Sequence, residues 1–249
     1  MTEVEDMARI ENTSEEALVQ VSDVHKTYDD SGVPVDAVRG VELSIGRGEF
    51  TALVGPSGSG KTTLLNIMAG LDDPTRGEVE LEGKRISQMS GGELSRFRRD
   101  RIGFVFQAYN LIPVLSALEN VEYIMLLQGV DGEERRRRVM ETLDLVGLAD
   151  MAHRRPAQLS GGQQQRVAVA RAMAARPALI LANEPTANLD SETSGGLLDI
   201  MHDLNRDTGM TFLFSTHDEI VISRAERVVS LRDGRVFRDT AQKARVADE

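Results

Sequence analysis

The chain has 249 residues and a formal net charge of −11, with 29 Lys and Arg against 40 Asp and Glu. This length fits one large α/β domain, and so acidic a chain repels phosphate backbones, which argues against a nucleic-acid partner. The sequence contains no cysteine, so disulfides, thiol catalysis and cysteine-ligated metal centres are excluded. No apolar run approaches the ~20 residues that span a bilayer, and we expect a soluble, cytoplasmic chain.

The first predicted elements form the context of a phosphate-binding loop. Residues 1–16 carry several acids without a periodic apolar pattern, which predicts a flexible acidic tail. Strand-like stretches follow at 18–24 and 37–45. The short apolar run Phe50–Val54 then leads into a glycine-rich loop, and Leu64–Ala69 is predicted to be a helix.

The middle of the chain differs from the rest. Residues from about 108 to 160 show helical spacing without strand alternation, which predicts a helical subdomain inserted into the α/β core. The apolar run Ala178–Ala182 is typical of a parallel strand buried on both faces. A helix at Ser191–Asn205, a strand at Thr211–Ser215 and a hairpin around Asp233-Gly234 are predicted after it.

The glycine-rich loop fits the pattern G-x-x-x-x-G-K-[ST] without a mismatch. Glycines let successive backbone N–H groups curl inward around phosphate oxygens, and the next helix points its positive end at them. Lys61 is predicted to contact the β- and γ-phosphates, and Thr62 to offer its hydroxyl to Mg²⁺. The predicted nucleotide-binding residues of this segment are Gly55, Pro56, Ser57, Gly58, Ser59, Gly60, Lys61, Thr62 and Thr63.

A carboxylate follows the later buried strand. The run Ala178–Ala182 leads directly into Asn183 and Glu184. A carboxylate at the end of such a strand, downstream of a phosphate loop, is placed to polarise the water that attacks the γ-phosphate. Glu184 is therefore the candidate general base.

Further motifs resemble those of ABC ATPases and occur in that family's order. The segment Leu159–Arg166 (LSGGQQQR) resembles the ABC signature, and Gln107 after the strand-like GFVF resembles the Q-loop. Ala187–Asp190 resembles the D-loop, and Ser215–Asp218 resembles the switch-histidine segment. With the phosphate loop, the resemblance covers about residues 18–238.

The resemblance implies a fold and an assembly. The fold is α/β: a phosphate-loop ABC ATPase core with a mostly parallel sheet, an N-terminal antiparallel β region and the inserted helical subdomain, within residues 17–249. The assembly is a head-to-tail homodimer with two ATP molecules at its interface. ATP hydrolysis, with Mg²⁺, then drives a separate transmembrane permease subunit, which holds the chain at the inner face of the cell membrane.

The resemblance also implies roles for single residues. Tyr28 stacks on adenine, and the signature residues bind the γ-phosphate held by the opposite subunit. Gln107 senses Mg²⁺ and the attacking water, His217 contacts the γ-phosphate, and Asp190 communicates across the interface. The signature residues concerned are Ser160, Gly161, Gly162 and Gln163.

Asn183 departs from the family pattern, which usually has Asp before the catalytic Glu. An amide keeps one acceptor oxygen for the Mg²⁺ shell but loses the negative charge. Losing a charge-assisted contact costs on the order of 1–3 kcal/mol when it is fully felt. We hypothesise weaker Mg²⁺ binding or slower hydrolysis with ATP binding retained; the alternative is that neighbouring groups compensate and turnover is normal.

The sequence also indicates a branch of the family and a docking site. The runs FVFQAYNLIPVLSALENV and NEPTANLD resemble the branch of macrolide exporters, lipoprotein-releasing complexes and the cell-division ATPase. The permease is predicted to dock near Gln107, where Tyr109, Leu111, Ile112 and Leu115 either supply apolar contact or form the core of the helical insert.

Two other functions are alternatives. One is a regulatory dimer that binds ATP but scarcely hydrolyses it, which Asn183 favours. The other is a soluble, non-transport ABC ATPase. Its DNA-repair kinds need zinc cysteines, its chromosome kinds a long coiled coil, and its ribosome-associated kinds two cassettes per chain, and the sequence has none of these features.

Overall fold

The computed structural model describes residues 17–29 and 32–242, so the predicted acidic tail lies outside the described residues. The strands are β1 (Ala17–Tyr28), β2 (Val35–Gly46), β3 (Phe50–Val54), β4 (Arg76–Leu81), β5 (Lys84–Arg85), β6 (Ile102–Val105), β7 (Leu179–Asn183), β8 (Thr211–Thr216), β9 (Arg227–Arg232) and β10 (Arg235–Ala241). The helices are α1 (Lys61–Met68), α2 (Gly91–Arg101), α3 (Ala117–Leu127), α4 (Gly132–Leu145), α5 (Gly161–Ala174), α6 (Ser191–Thr208) and α7 (Glu219–Arg224).

The strands form two sheets. A four-stranded antiparallel sheet has the order β2-β1-β4-β5, and a six-stranded sheet has the order β10-β9-β3-β8-β7-β6. Within the larger sheet the five strands from β9 to β6 are parallel, and only β10 is antiparallel to its neighbour. The predicted fold class, a mostly parallel core with an N-terminal antiparallel region, is confirmed.

The central strands are buried on both faces because their side chains alternate between two hydrophobic clusters. On β8, Leu213 joins the cluster that contains α1 and the antiparallel sheet. Its neighbours Phe212 and Phe214 point to the other side, where they pack with Leu197 and Met201 of α6. This two-sided burial explains the unbroken apolar runs in the sequence, and it places helix α1 between the two sheets.

The helical layer has its own core. Helices α3 and α4 lie inside the predicted insert of 108–160 and bury Val121, Met125, Val139 and Leu143 against each other. Ala170 of α5 joins the same cluster, although α5 begins after residue 160. Helix α5 is therefore shared between the helical layer and the core, and the boundaries of the insert stay a prediction.

No element was predicted from the sequence at β4, β5 or α7. Strand β4 reads RGEVEL and buries only Val79 and Leu81, so its alternation covers two apolar residues. Strand β5 has two residues and helix α7 has six, too few for a periodic pattern to appear. Within the described ranges, no helix is both long and apolar enough to cross a membrane.

Candidate nucleotide site

Four predicted site segments meet at one edge of the parallel sheet. Gly55 follows β3, His217 follows β8, Glu184 follows β7, and Gln107 comes two residues after β6. These strands are neighbours in the order β3-β8-β7-β6 and run in parallel, so their carboxyl ends lie side by side. Ligands of open α/β sheets bind at this edge, and residues far apart in sequence are thereby brought together.

The phosphate loop needs glycine at two positions for a steric reason. A Cβ on Gly60, whose φ is +98°, would lie 2.2 Å from the carbonyl oxygen of Ala37. A Cβ on Gly55 would lie 2.2 Å from the carbonyl oxygen of Leu231. Real Cβ atoms do not approach backbone oxygens this closely, so the two glycines allow the loop to curl tightly against its neighbours.

The turn between β9 and β10 holds this loop from outside. The N–H of Gly234 donates to the carbonyl of Ser59 at 3.0 Å. The carbonyl of Gly234 in turn accepts from the N–H of Arg39, in β2, at 2.8 Å. Segments from near the beginning and near the end of the described chain therefore shape one loop.

Lys61 is the first residue of α1, and its side chain lies across the loop. The ammonium donates to the carbonyls of Gly55 at 2.7 Å and Pro56 at 3.1 Å. Burial lowers the pKa of Lys61, while the charge of Glu184 acts in the opposite direction. A buried cation that lies near the Glu184 carboxylate and the backbone N–H groups of the loop is suited to binding phosphate oxygens. The next residue in the chain, Thr62, is exposed.

Glu184 and His217 form a contact pair at the ends of β7 and β8. His217 Nδ1 lies 2.8 Å from Glu184 Oε1, and the Thr216 hydroxyl lies 3.1 Å from Oε2. Glu184 adopts a left-handed backbone, with φ of +46°, and its N–H donates to the carbonyl of Ser215. Its side chain is 15% exposed, whereas that of His217 is 74% exposed. The carboxylate is thus oriented by two side chains and still reachable by water.

Three buried polar atoms near this edge have no hydrogen-bond partner: Asn183 Oδ1, Ser215 Oγ and Ser59 Oγ. Asn183 and Ser215 face each other in the β7–β8 register, and Ser59 lies in the phosphate loop. Buried groups of this kind call for a ligand or ordered water, so they fit the hydrated Mg²⁺ that the sequence predicts. Among the residues the structure describes, no group of three or more His, Cys, Asp or Glu could hold a metal alone.

The predicted signature begins helix α5. The Ser160 hydroxyl accepts from the N–H of Gln163 at 3.3 Å, and the Gln163 side chain accepts from the N–H of Ser160 at 2.9 Å. Asp190 caps α6 in the same way, accepting from the N–H of Thr193 at 2.8 Å. A Cβ on Gly162 would lie 2.5 Å from the Thr193 methyl, so the two helix starts pack closely.

The signature and the phosphate loop are not joined within one chain. Ser160 is exposed, and none of the hydrogen bonds found in 17–29 and 32–242 connects residues 160–163 to residues 55–63. The N–H groups of Gly161 and Gly162 precede the first hydrogen bonds within α5, and helix N-termini attract anions.

Gln107 and the segment after it are held in place by Asn188 of the D-loop segment and by Arg171, a residue that was not singled out from the sequence. The Gln107 carbonyl accepts from the Asn188 amide at 2.9 Å, and its side chain is exposed. Arg171 of α5 donates to the carbonyls of Tyr109 and Asn110, and burial lowers its pKa. Nothing in the sequence signals these contacts, because they join positions more than 60 residues apart to backbone oxygens.

Tyr28 lies at the end of β1 and is half-buried. Its hydroxyl donates to Asp72 Oδ2 at 2.6 Å. Burial raises the pKa of Tyr28, and the hydrogen bond to Asp72 adds to the increase. Asp72 is a second residue that the sequence analysis missed.

An apolar groove opens beside the segment after Gln107. Its cavity of about 220 Å³ is lined by Phe104, Phe106, Tyr123 and Ile124 with the stem of Arg171. For four residues the sequence left open either contact with the permease or a place in the core of the insert. Leu111 packs against the helical cluster, and Tyr109, Ile112 and Leu115 are not among the residues that line the cavity. The exposed apolar side chains next to the groove are Tyr123, Leu126 and Leu127.

Comparison with known proteins gives consistent results. A family model described as ABC transporter matches residues 38–187. An uncharacterised ABC transporter ATP-binding protein of Thermotoga maritima is 49% identical over 219 residues, which is 88% of this chain and 93% of that protein. The macrolide export ATP-binding/permease protein MacB of Hyphomonas neptunium is 44% identical over 93% of this chain, which spans only 36% of MacB.

Solved structures agree. The ATP-binding cassette MJ0796, from Methanocaldococcus jannaschii, has been solved as a dimer in a post-hydrolysis state bound to ADP and Pi. It superposes with a TM-score of 0.84 at 45% identity, over 91% of this chain and 99% of the cassette.

Proposed function

Because this chain belongs to the ABC transporter family of ATP-binding proteins, we propose that it hydrolyses ATP as a homodimer and thereby drives a separate transmembrane permease subunit. The observation that carries the proposal is the Glu184 carboxylate, held by His217 and Thr216 at the sheet edge where the phosphate loop also lies. That edge joins a phosphate cradle to a positioned base.

Nucleotide binding follows from the phosphate loop. The N–H groups between Gly55 and Thr63 surround the phosphates, and the Lys61 ammonium exchanges its two carbonyl contacts for the stronger attraction of β- and γ-phosphate oxygens. The Thr62 hydroxyl, with Asn183 and Gln107 through water, would hold Mg²⁺. When bound, Mg²⁺ neutralises charge that develops on the phosphates.

Hydrolysis uses the two side chains at the ends of β7 and β8. Glu184 accepts a proton from the attacking water while the water oxygen bonds to the γ-phosphorus. The bond between the γ-phosphorus and the β–γ bridging oxygen breaks at the same time. The products are ADP and inorganic phosphate. His217 orients the carboxylate in the free chain through its Nδ1 contact, and its exposed ring can turn to a γ-phosphate oxygen.

The homodimer completes the site. The start of α5 at Ser160 offers free N–H groups but does not reach the phosphate loop of its own chain. A second copy packed head to tail would bring its Ser160–Gln163 segment to the γ-phosphate, as an isologous interface permits. The dimeric state of the similar MJ0796 cassette supports this arrangement. Asp190, packed against Gly162 through Thr193, would relay changes across the interface.

A permease partner is supported by the relatives and by the apolar groove. MacB is named as an ATP-binding/permease protein, and this chain matches about a third of it. In this proposal the permease subunit holds the chain at the inner face of the membrane. The docking site of the permease is the groove of Phe104, Phe106, Tyr123 and Ile124. The exported or extracted cargo would be a lipoprotein, peptide or drug.

The test is ATP hydrolysis by the full chain with Mg²⁺, compared with Glu184→Gln. Loss of a general base lowers turnover by about 10²–10⁴-fold, and we expect this loss with ATP binding retained and an ATP-dependent dimer in gel filtration. Glu133→Gln, at an exposed site in the first turn of α4, removes the same charge and should match the parent. Parental turnover in Glu184→Gln would refute the assignment.

Asn183 supports a second candidate, an ATP-dependent regulatory clamp that hydrolyses slowly. Its unpartnered Oδ1 lacks the charge that would hold the Mg²⁺ shell. A parent chain that binds ATP without turnover, and gains turnover in Asn183→Asp, would establish the clamp. A soluble, non-transport role would instead be indicated if no permease co-purifies with the chain.

A further inference from the structure

The Asp72 carboxylate binds two side chains at the end of β1. Its Oδ1 accepts from the Lys26 ammonium at 2.6 Å, and its Oδ2 accepts from the Tyr28 hydroxyl at 2.6 Å. The side chains of Lys26 and Asp72 are 14% and 26% exposed, so the ion pair is largely withdrawn from solvent. Such a pair is held more firmly than a surface ion pair. The Asp72 carboxylate in turn holds the Tyr28 ring through its hydroxyl group.

Lys26 also covers one face of the Tyr28 ring. Side chains two residues apart on a strand point the same way, and the Lys26 ammonium lies over the ring, 4.9 Å from its centroid. A second hydrogen bond, to the Asp73 carbonyl at 2.7 Å, keeps the ammonium in place. A planar ligand can therefore stack only on the opposite face of the ring.

Asp72, which holds the Tyr28 hydroxyl, is connected to the phosphate site through α1. Asp72 lies in the turn after this helix, where the N–H groups of Leu71 and Asp72 donate to the Asn66 carbonyl at 2.8 and 3.3 Å. The same helix begins with Lys61 in the phosphate loop. One short helix thus holds the phosphate contact at its start and the support for the ring just beyond its end.

We propose that Asp72 is a positioning residue for the base of the bound nucleotide. It fixes the Tyr28 ring against Lys26 and leaves one face open for stacking at a set distance from the phosphate loop. The inference rests on the proposed function, because it requires a nucleotide in that loop. An ordered ring avoids the entropic cost of immobilising a side chain on binding.

The experiment compares two ligands that share a diphosphate, ADP and inorganic pyrophosphate, by calorimetry with the full chain in Mg²⁺-free buffer. Neither is hydrolysed, so binding is read alone. We expect Asp72→Ala and Tyr28→Phe each to weaken ADP binding about three- to tenfold and to leave pyrophosphate binding unchanged. Asp72→Asn keeps an acceptor for the phenol and should weaken ADP binding less than Asp72→Ala.

The double variant Tyr28→Phe with Asp72→Ala should bind ADP no worse than Asp72→Ala alone, because Asp72→Ala already removes the hydrogen bond that Tyr28→Phe removes. Additive losses, or an equal loss of pyrophosphate affinity in Asp72→Ala, would overturn the positioning role. If the parent binds pyrophosphate but ADP no more tightly, the inference fails while the phosphate site stands. If the parent binds neither ligand, the proposed function fails as well.

Discussion

Asn183→Asp should destabilise the free chain. Asn183 Oδ1 is buried without a hydrogen-bond partner at the end of β7, and its sequence neighbour is Glu184. A carboxylate there would be buried next to another carboxylate, at a position whose oxygen accepts no hydrogen bond in the free chain, at a cost of about 1–3 kcal/mol. For a chain of this size about 1 kcal/mol shifts the melting temperature by roughly 2–4 °C. We therefore expect a decrease of about 2–12 °C in Mg²⁺-free buffer.

The sign should reverse with Mg²⁺ and ATP. The new charge then faces the metal shell that the neutral amide serves poorly. The same 1–3 kcal/mol, gained instead of lost, corresponds to a decrease of about 5- to 150-fold in the Mg²⁺ concentration that gives half-maximal ATPase rate. The two measurements thus share one cause and change in opposite directions.

The assays are thermal unfolding without Mg²⁺ and a Mg²⁺ titration of the ATPase rate. Gln88→Glu is the matched control, since it makes the same amide-to-acid change at an exposed position away from the sheet edge. The control should leave both measurements near the parent. Coincident Mg²⁺ curves for the parent and Asn183→Asp, together with equal melting temperatures, would refute the reasoning and show that neighbouring groups compensate.

Three further predictions follow from single contacts. Gly60→Ala places a Cβ 2.2 Å from the Ala37 carbonyl oxygen, at a residue with φ of +98°. ATP affinity measured by calorimetry should therefore be lost or reduced at least about tenfold, and the melting temperature should fall. An affinity equal to that of the parent would contradict the steric argument. Lys61→Met removes a phosphate contact together with a buried charge whose pKa burial lowers, so ATP affinity should fall while the melting temperature stays level or rises; a large loss of stability would contradict this. The hydrogen bond from Arg101, against the effect of burial, holds the pKa of Glu82 below its ordinary 4.5. The ionised Glu82 therefore stabilises the fold fully at pH values above its ordinary pKa, and this stabilisation is lost as the pH falls through its lower pKa in the folded chain. The melting temperature of Glu82→Gln should consequently decline less than that of the parent between about pH 5 and pH 3.

The sheet edge was predictable because its residues follow strands with strong local signals. The apolar runs at 50–54 and 178–182 identify buried parallel strands, and parallel strands bring Gly55 and Glu184 to the same edge. The helix after the phosphate loop and the C-terminal hairpin follow from similar local patterns, whereas the full fold class was implied by the resemblance to ABC ATPases. In each case the deciding information lies within about ten neighbouring residues.

The contacts that were missed join distant positions. Tyr28 and Asp72 are 44 residues apart, and Arg171 reaches the carbonyl of Tyr109 62 residues away. Carbonyl acceptors carry no side-chain signal, and a lone Asp in a turn resembles any surface acid. Leu111 and Ile112 illustrate a related limit, since apolar residues in a loop are compatible with both packing in the insert and contact with a partner, and the structure places Leu111 against the helical cluster.

The clasp formed by Gly234 on the phosphate loop affects how the protein is made. Ser59 and Arg39 are synthesised long before Gly234, with whose backbone both form hydrogen bonds. The Leu231 carbonyl, which bounds the space beside Gly55, is also synthesised late. Translation proceeds at roughly 5–20 residues per second, so the nascent chain spends many seconds with the nucleotide loop exposed but unfinished. We therefore expect full nucleotide binding only after the β9–β10 hairpin has left the ribosome and docked.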